Sequence, residues 1–148
     1  EYEKLGSYAL AGLPDSLYPT RYVAEGKLDS EYPIVVAGKN FGCGSSRETA
    51  PFSEQAAGIR LVIAENIEKI YGQNCQNIGL LTSTDFGLIE RIGRGEAIPL
   101  SEFTQGLDPV ATELHTALNT TDIPLNTLST AQLCPGGAAL DKINASLR

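Results

Sequence analysis

Three short apolar runs, set apart by segments of helical spacing, constrain this chain more than any other feature. The first, Ile34-Val35-Val36-Ala37, opens after Pro33 and closes at Gly38. The second is Leu61-Val62-Ile63, within Ile59 to Ala64, and the third is Ile78-Gly79-Leu80-Leu81. Runs this short, rich in branched side chains and bounded by turn residues, predict buried strands. Between the first two, Ser45 or Ser46 offers a helix N-cap, and Glu48 follows Ser45 at capping-box spacing. That helix is expected to reach about Ala57 and stop at Gly58, with Pro51 marking a kink or a first turn. Asn66 is placed to cap a second helix carrying Ile67, Ile70 and Tyr71. Strand, helix, strand, helix, strand in close succession predicts an α/β fold with parallel pairing.

The flanks say less. Glu1 to Asp29 carries many turn residues and reads as irregular. After Glu90, Gly93 and Gly95 suggest a hairpin turn, and Ile98-Pro99-Leu100 a short edge strand. Helices are expected over Pro109 to Leu118 and Ala138 to Leu147, with a polar surface excursion from Asn119 to Gly137 between them. Residues 1–148 read as one domain, with a divergent tail from about 101 to which no function is assigned. No apolar stretch is long enough to span a bilayer, and the N-terminus shows no signal-peptide pattern, so a cytoplasmic location is expected. The net charge of −7 argues against nucleic-acid and anionic-membrane partners. Cys43, Cys75 and Cys134 are widely separated and form no Cys-x-x-Cys pair, so they read as ordinary thiols and no metal ligands are assigned. His115, the single histidine, reads as a solvated helix residue.

Chemistry concentrates in Gly42-Cys43-Gly44-Ser45-Ser46-Arg47-Glu48. Glycines let backbone turn tightly and approach a ligand, and a helix start presents free N–H groups and a positive dipole end. Two hydroxyls and a guanidinium at that start make an anion site, with Arg47 suited to bidentate carboxylate or phosphate binding. A Walker loop would end in Gly-Lys-Ser/Thr, whereas Lys39 precedes these glycines. A hydrolase nucleophile elbow needs a glycine after its serine, and neither Ser45 nor Ser46 has one. From the residues alone a plainer reading stays open: Ser45 caps a helix and Arg47 pairs with a surface acid.

Gly38-Lys39-Asn40-Phe41-Gly42-Cys43-Gly44-Ser45-Ser46-Arg47-Glu48 resembles the signature of the aconitase superfamily's swivelling domain, and in particular of the separate small subunits of 3-isopropylmalate dehydratases. The likeness runs on through Ala57 to Ala64 and Ile67 to Tyr71, and ends at Asn77-Ile78-Gly79-Leu80-Leu81. Upstream, Tyr18-Pro19-Thr20-Arg21-Tyr22 resembles the family's Pro-x-Arg-Tyr segment. The chain departs from the family pattern at Thr49, where His is usual, and at Leu13-Pro14-Asp15, where Asp-Thr-Asp is common. The ten residues between Tyr22 and Pro33 are fewer than the family's substrate-specificity segment leads one to expect.

The resemblance implies a swivelling β/β/α domain with a partly parallel sheet flanked by helices. It implies a hydro-lyase and isomerase that moves a hydroxyl between adjacent carbons of a substituted malate, a small di- or tricarboxylic acid, active only with a large subunit that carries a [4Fe–4S] cluster. By this likeness Ser45 is the base that removes the proton next to a carboxylate, while Arg21, Gly44, Ser46 and Arg47 bind substrate. The acid implied first is 3-isopropylmalate, as in leucine biosynthesis. Homoaconitate, citrate and aryl-substituted malates are the alternatives, and a non-catalytic binding or regulatory module that keeps the fold is the competing class.

Overall fold

The computed structural model describes residues 2–12, 16, 21–44, 48–94 and 96–119. Three parallel strands form the sheet: β1 (Ile34–Ala37), β2 (Leu61–Ala64) and β3 (Leu81–Ser83), in the order β1-β2-β3. Their register sets Ile34 beside Leu61 and Leu61 beside Leu81. Because alternate residues of a strand point to opposite faces, this register sorts the core into two layers. Ile34, Val36, Leu61, Ile63 and Leu81 pack on one face with Leu88, Ile89 and Ile98. Val35 and Val62 point the other way, into a cluster with Tyr22, Ala57, Ile59, Tyr71, Cys75 and Leu80. With both faces covered, the strands are apolar at nearly every position, as parallel strands are.

Two helices follow the first two strands as the periodicity predicts. Helix α1 (Thr49–Ala56) starts late enough that Pro51 sits in its first turn, where a missing N–H removes no helical hydrogen bond. Gly58 (φ +89°) turns the chain after it, as the sequence suggests. Helix α2 (Lys69–Ile78) is capped by Glu68, whose carboxylate accepts from the amides of Ile70 (2.8 Å) and Tyr71 (3.0 Å). Asn66, expected as that cap, bonds elsewhere. The expected third strand also shifts: Ile78 ends α2, Gly79 is a left-handed C-cap (φ +79°), and pairing begins only at Leu81. An αL glycine cannot continue a ladder, and here it also lets Leu118 approach within 2.5 Å of where a Cβ would sit.

Beyond the sheet, Tyr2–Tyr8 forms a 3-10 helix packed against α1, where an irregular segment was expected. Helix α3 (Gly87–Gly93) occupies the region read as leading into a hairpin, and Asp85 caps it through the Gly87 amide. Ile98 is fully buried and makes a single β-bridge, and the chain then turns into α4 (Ser101–Thr104), so the expected edge strand over 98–100 is reduced to that one position. Helix α5 spans Pro109–Leu118 as predicted, capped by Asp108 with Pro109 in its first turn. Asn119, expected to begin a surface excursion, is buried and donates to the carbonyls of Gly79 and His115. The remaining calls on the tail, from 120 onward, lie outside the described residues, and so does Gly95. Among the described residues no helix is long and apolar enough to cross a membrane.

Candidate functional site

The loop leaving β1 emerges at the carboxyl edge of the parallel sheet, where ligands of open α/β sheets bind. It is held against the connection from β2 to α2. The Glu65 amide donates to the Gly38 carbonyl (3.2 Å), Phe41 N–H to the Asn66 carbonyl (3.2 Å), and Glu68 N–H to the Phe41 carbonyl (2.8 Å). Phe41 and Ile67 thus form an isolated parallel bridge beyond the ends of the strands. Asn66 adds a side-chain clasp: its Oδ1 accepts from the Asn40 amide (2.7 Å), and its Nδ2 donates to Asn40 Oδ1 (3.1 Å). Asn40 lies at φ +57°, a conformation Asn tolerates because its short amide can bond locally.

Gly42 (φ +83°) lies on the ring of Tyr71; a Cβ there would come within 2.2 Å of Tyr71 Cγ. Only glycine fits, so this residue is fixed by a close approach to α2. The Phe41 and Tyr71 rings meet edge to face at 5.3 Å. Gly44, proposed from sequence as a backbone contact to substrate, is exposed, and no described atom lies within 4 Å of where its Cβ would be. Exposed Lys39 adds a positive charge near the loop's entry.

Ser45, Ser46 and Arg47 lie outside the described residues; Gly44 and Glu48 bound them. At the exit, the Glu48 carbonyl accepts from the Phe52 amide (3.3 Å), and Thr49 is exposed. Arg21 is exposed and makes no hydrogen bond or ion pair among the described residues. Its neighbour Tyr22 is buried, and its hydroxyl donates to the carbonyls of Tyr32 (2.5 Å) and Ile34 (3.1 Å), at the entry of β1. Arg21 is therefore anchored near the start of the strand whose other end launches the loop. The described residues do not bring the two together.

Beneath the loop lies a buried polar cluster that sequence reasoning missed. Glu54 of α1 accepts a hydrogen bond from the Tyr71 hydroxyl, and Cys75 lies one turn further along α2. Burial pushes the Glu54 carboxyl up to about 7, against the lowering effect of the Tyr71 bond. Burial also raises Tyr71, with the Glu54 charge adding to it, and pushes the Cys75 thiol up to about 12. A signal existed: Glu54 stands one helical turn from Ala50 and Ala57, on a face rich in small residues.

His115 is a second surprise. It is buried, neither ring nitrogen meets hydrogen-bond geometry with a partner among the described residues, and burial lowers its pKa, which the nearby Gln76 backbone partly opposes. Its expected solvated position is thus corrected: α5 docks this face against α2, so the ring is carried into the protein. Its own carbonyl accepts from the Asn119 side chain, so the residue helps to tie the end of α5 in place.

Among the described residues no three His, Cys, Asp or Glu side chains gather where a metal ion could be held. Cys43 is exposed and Cys75 buried beneath Tyr71, so these two do not fit as ligands of one cluster. An open depression of about 440 Å³ lies between α2, β3 and α4, lined by Glu68, Gln73, Ser83 and Glu102 among others. It mixes acids, amides and hydroxyls on the side of α2 away from α1 and carries no further part of the loop.

The Aconitase C-terminal domain family matches residues 11–84, a span that takes in the loop, α1, β2, α2 and β3. The 3-isopropylmalate dehydratase small subunit of Desulfovibrio desulfuricans is 36% identical over 135 residues, covering 91% of this chain and 74% of its own length. The 3-isopropylmalate dehydratase small subunit 1 of Arabidopsis thaliana is 53% identical over 74 residues, which cover 50% of this chain and 29% of that protein. The isopropylmalate/citramalate isomerase small subunit of Methanocaldococcus jannaschii is 35% identical over 105 residues, covering 59% of this chain and 62% of its own. The chain therefore spans less than a third of the plant relative's length and most of the Desulfovibrio relative's. The matched span holds the glycine loop clasped at the carboxyl edge of the parallel sheet and the helix after it, and the chain belongs to the aconitase C-terminal domain family, on its 3-isopropylmalate dehydratase small-subunit branch.

Proposed function

We propose that this chain is a single swivelling domain that supplies the serine and arginine half of a two-subunit hydro-lyase site. The observation that supports this most is the clasped loop: Asn40, Phe41 and Gly42 are fixed by α2 and its approach, and the chain then passes through Gly44 to Glu48 and α1. In this reading Ser45 is the base, Ser46 and Arg47 hold substrate carboxylates, the exposed Gly44 backbone lets substrate approach, and Arg21 holds a carboxylate from another side. A large subunit completes the site, and a [4Fe–4S] cluster held there supplies the Lewis acid for the substrate hydroxyl.

The part played by this chain follows from its chemistry. Ser45 Oγ, as alkoxide, takes the proton from the carbon next to a carboxylate, and the electron pair left behind builds negative charge on that carboxylate. Arg47 and backbone N–H groups at the start of α1 are the charges suited to stabilise it. The same groups favour the alkoxide, which a serine cannot otherwise supply near neutral pH. Hydroxide leaves the adjacent carbon, and water returned with the two positions exchanged gives the isomer. Substrate is a 2- or 3-substituted malate, 3-isopropylmalate first. The double name of the Methanocaldococcus relative, isopropylmalate/citramalate isomerase, favours citramalate as a second acid.

Co-expression with aconitase-type large subunits, anaerobic cluster reconstitution and assay of a panel of substituted malates tests this reading. Turnover of at least one acid is expected, and Ser45→Ala should remove most of it, roughly 100-fold or more, while folding and subunit association persist. No complex and no turnover with any partner would overturn the reading. Near-normal turnover by Ser45→Ala would overturn the base assignment alone.

A further inference from the structure

One side chain touches the entry of the loop that bears Ser45 to Arg47 and the helix that follows that loop. At the entry, Gly42 rests on the Tyr71 ring with no room for a Cβ, and the Phe41 ring meets the same ring edge-on. At the exit, the chain runs into α1, and Glu54 of that helix accepts the Tyr71 hydroxyl. Glu54 is 5% and Tyr71 4% exposed, so this bond is made out of water. If packing were the whole purpose, a phenylalanine and a leucine would fill the space without placing a carboxyl in the core. A buried polar pair fixes direction and distance, as apolar contacts do not.

We propose that Glu54 and Tyr71 are positioning residues: their buried hydrogen bond locks α1 to α2 at the spacing that seats Gly42 on the Tyr71 ring, and so fixes both described flanks, Gly42 and α1, of the segment that carries Ser45 to Arg47. This rests on the function proposed above for that segment, but its geometry does not. The groups facing Glu54 are Tyr71 and Cys75 of α2; β1 and β2 present only apolar side chains to this layer. The 3-10 helix that packs against α1 carries Lys4 and Tyr8, both exposed. Among the described residues the Tyr71 hydroxyl is the one side-chain hydrogen-bond partner of the Glu54 carboxylate, and no ion pair is made to it.

The decisive comparison uses Tyr71→Phe, Glu54→Leu, Glu54→Gln and the double variant Tyr71→Phe/Glu54→Leu. Two readouts are taken: hydrogen exchange of residues 38–48 in this chain, and kcat and KM of the reconstituted complex. Each single apolar variant is expected to lose about 10-fold or more in amide protection over 38–44 and in kcat, with a smaller change in KM. Glu54→Gln keeps an acceptor for the hydroxyl and should recover most of both. The double variant removes both polar groups, so its melting temperature should return towards wild type while its kcat stays low. If the double variant regains protection and kcat together with stability, the pair is merely structural and the proposal fails. It fails equally if Glu54→Gln is as impaired as Glu54→Leu. Should the wild-type complex turn over no acid at all, the proposed function fails, while the exchange data still decide the lock.

Discussion

At the scale of single residues, two of the buried titratable groups, Glu54 and His115, act on stability in opposite pH directions. Glu54 is pushed up to about 7 in the folded protein from an ordinary value near 4.5, so between these limits the native state holds the proton more tightly than the unfolded chain. Its contribution is full below about pH 4.5 and is lost as pH rises to about 7, an effect of about 3 kcal/mol at 1.36 kcal/mol per unit. Urea unfolding at pH 5 and pH 8 should show that loss in the wild type and little of it in Glu54→Gln; equal slopes in both proteins would refute the assignment. His115 runs the other way. Its pKa is lowered, so the native state resists protonation and stability falls as pH drops below about 6.5. Because neither ring nitrogen has a hydrogen-bond partner among the described residues, His115→Phe should be neutral or stabilising at pH 7.5 and should flatten the acid side of a thermal melting series between pH 7.5 and 5.5. A variant that melts well below wild type at pH 7.5 would show that the ring nitrogens are satisfied after all.

At the scale of elements, the site depends on how one connection grips another. Asn66 closes the clasp on Asn40, and Asn66→Ala removes both side-chain bonds at once. A loss of about 1–2 kcal/mol is expected by chemical denaturation, with faster hydrogen exchange at Asn40 and Phe41. Gly42→Ala should be worse, about 1–3 kcal/mol or more, since it combines a positive φ with a collision against the Tyr71 ring. An alanine variant that folds with unchanged stability would contradict the close approach. Much at this scale was legible beforehand. Ile34–Ala37 and Leu61–Ala64 are strands because short branched runs bounded by turns have few other uses, and Pro109–Leu118 is a helix with its proline and aspartate where helices start. What the sequence hid is long-range. Asn66 looks like a cap for α2, but Asn40, distant in sequence, claims its side chain, and Glu68 caps the helix instead. His115 reads as solvated because spacing within α5 does not say which face α2 will cover. Likewise the polar partner of Glu54 sits seventeen positions away on another helix, beyond any local pattern.

For the whole molecule, three strands in sequential order place successive βα connections along one edge of the sheet, so the loop after β1 and the turn into α2 become neighbours. At this level the sequence predicts an anion-binding helix start and the family likeness implies its chemistry, while Ser45, Ser46 and Arg47 lie outside the described residues. Arg21 is anchored beside the entry of β1 through its neighbour Tyr22, a placement that no local pattern announces. One feature of the loop has a practical use. Of the two described thiols, Cys43 is exposed within the loop, whereas Cys75 is sealed under Tyr71 and pushed up to about 12. An alkylating reagent at neutral pH therefore discriminates between them without unfolding the protein, since only an accessible thiolate reacts. Cys43 is a natural attachment point for a fluorophore or spin label, a built-in reporter with which the proposed docking of a large subunit can be followed in real time.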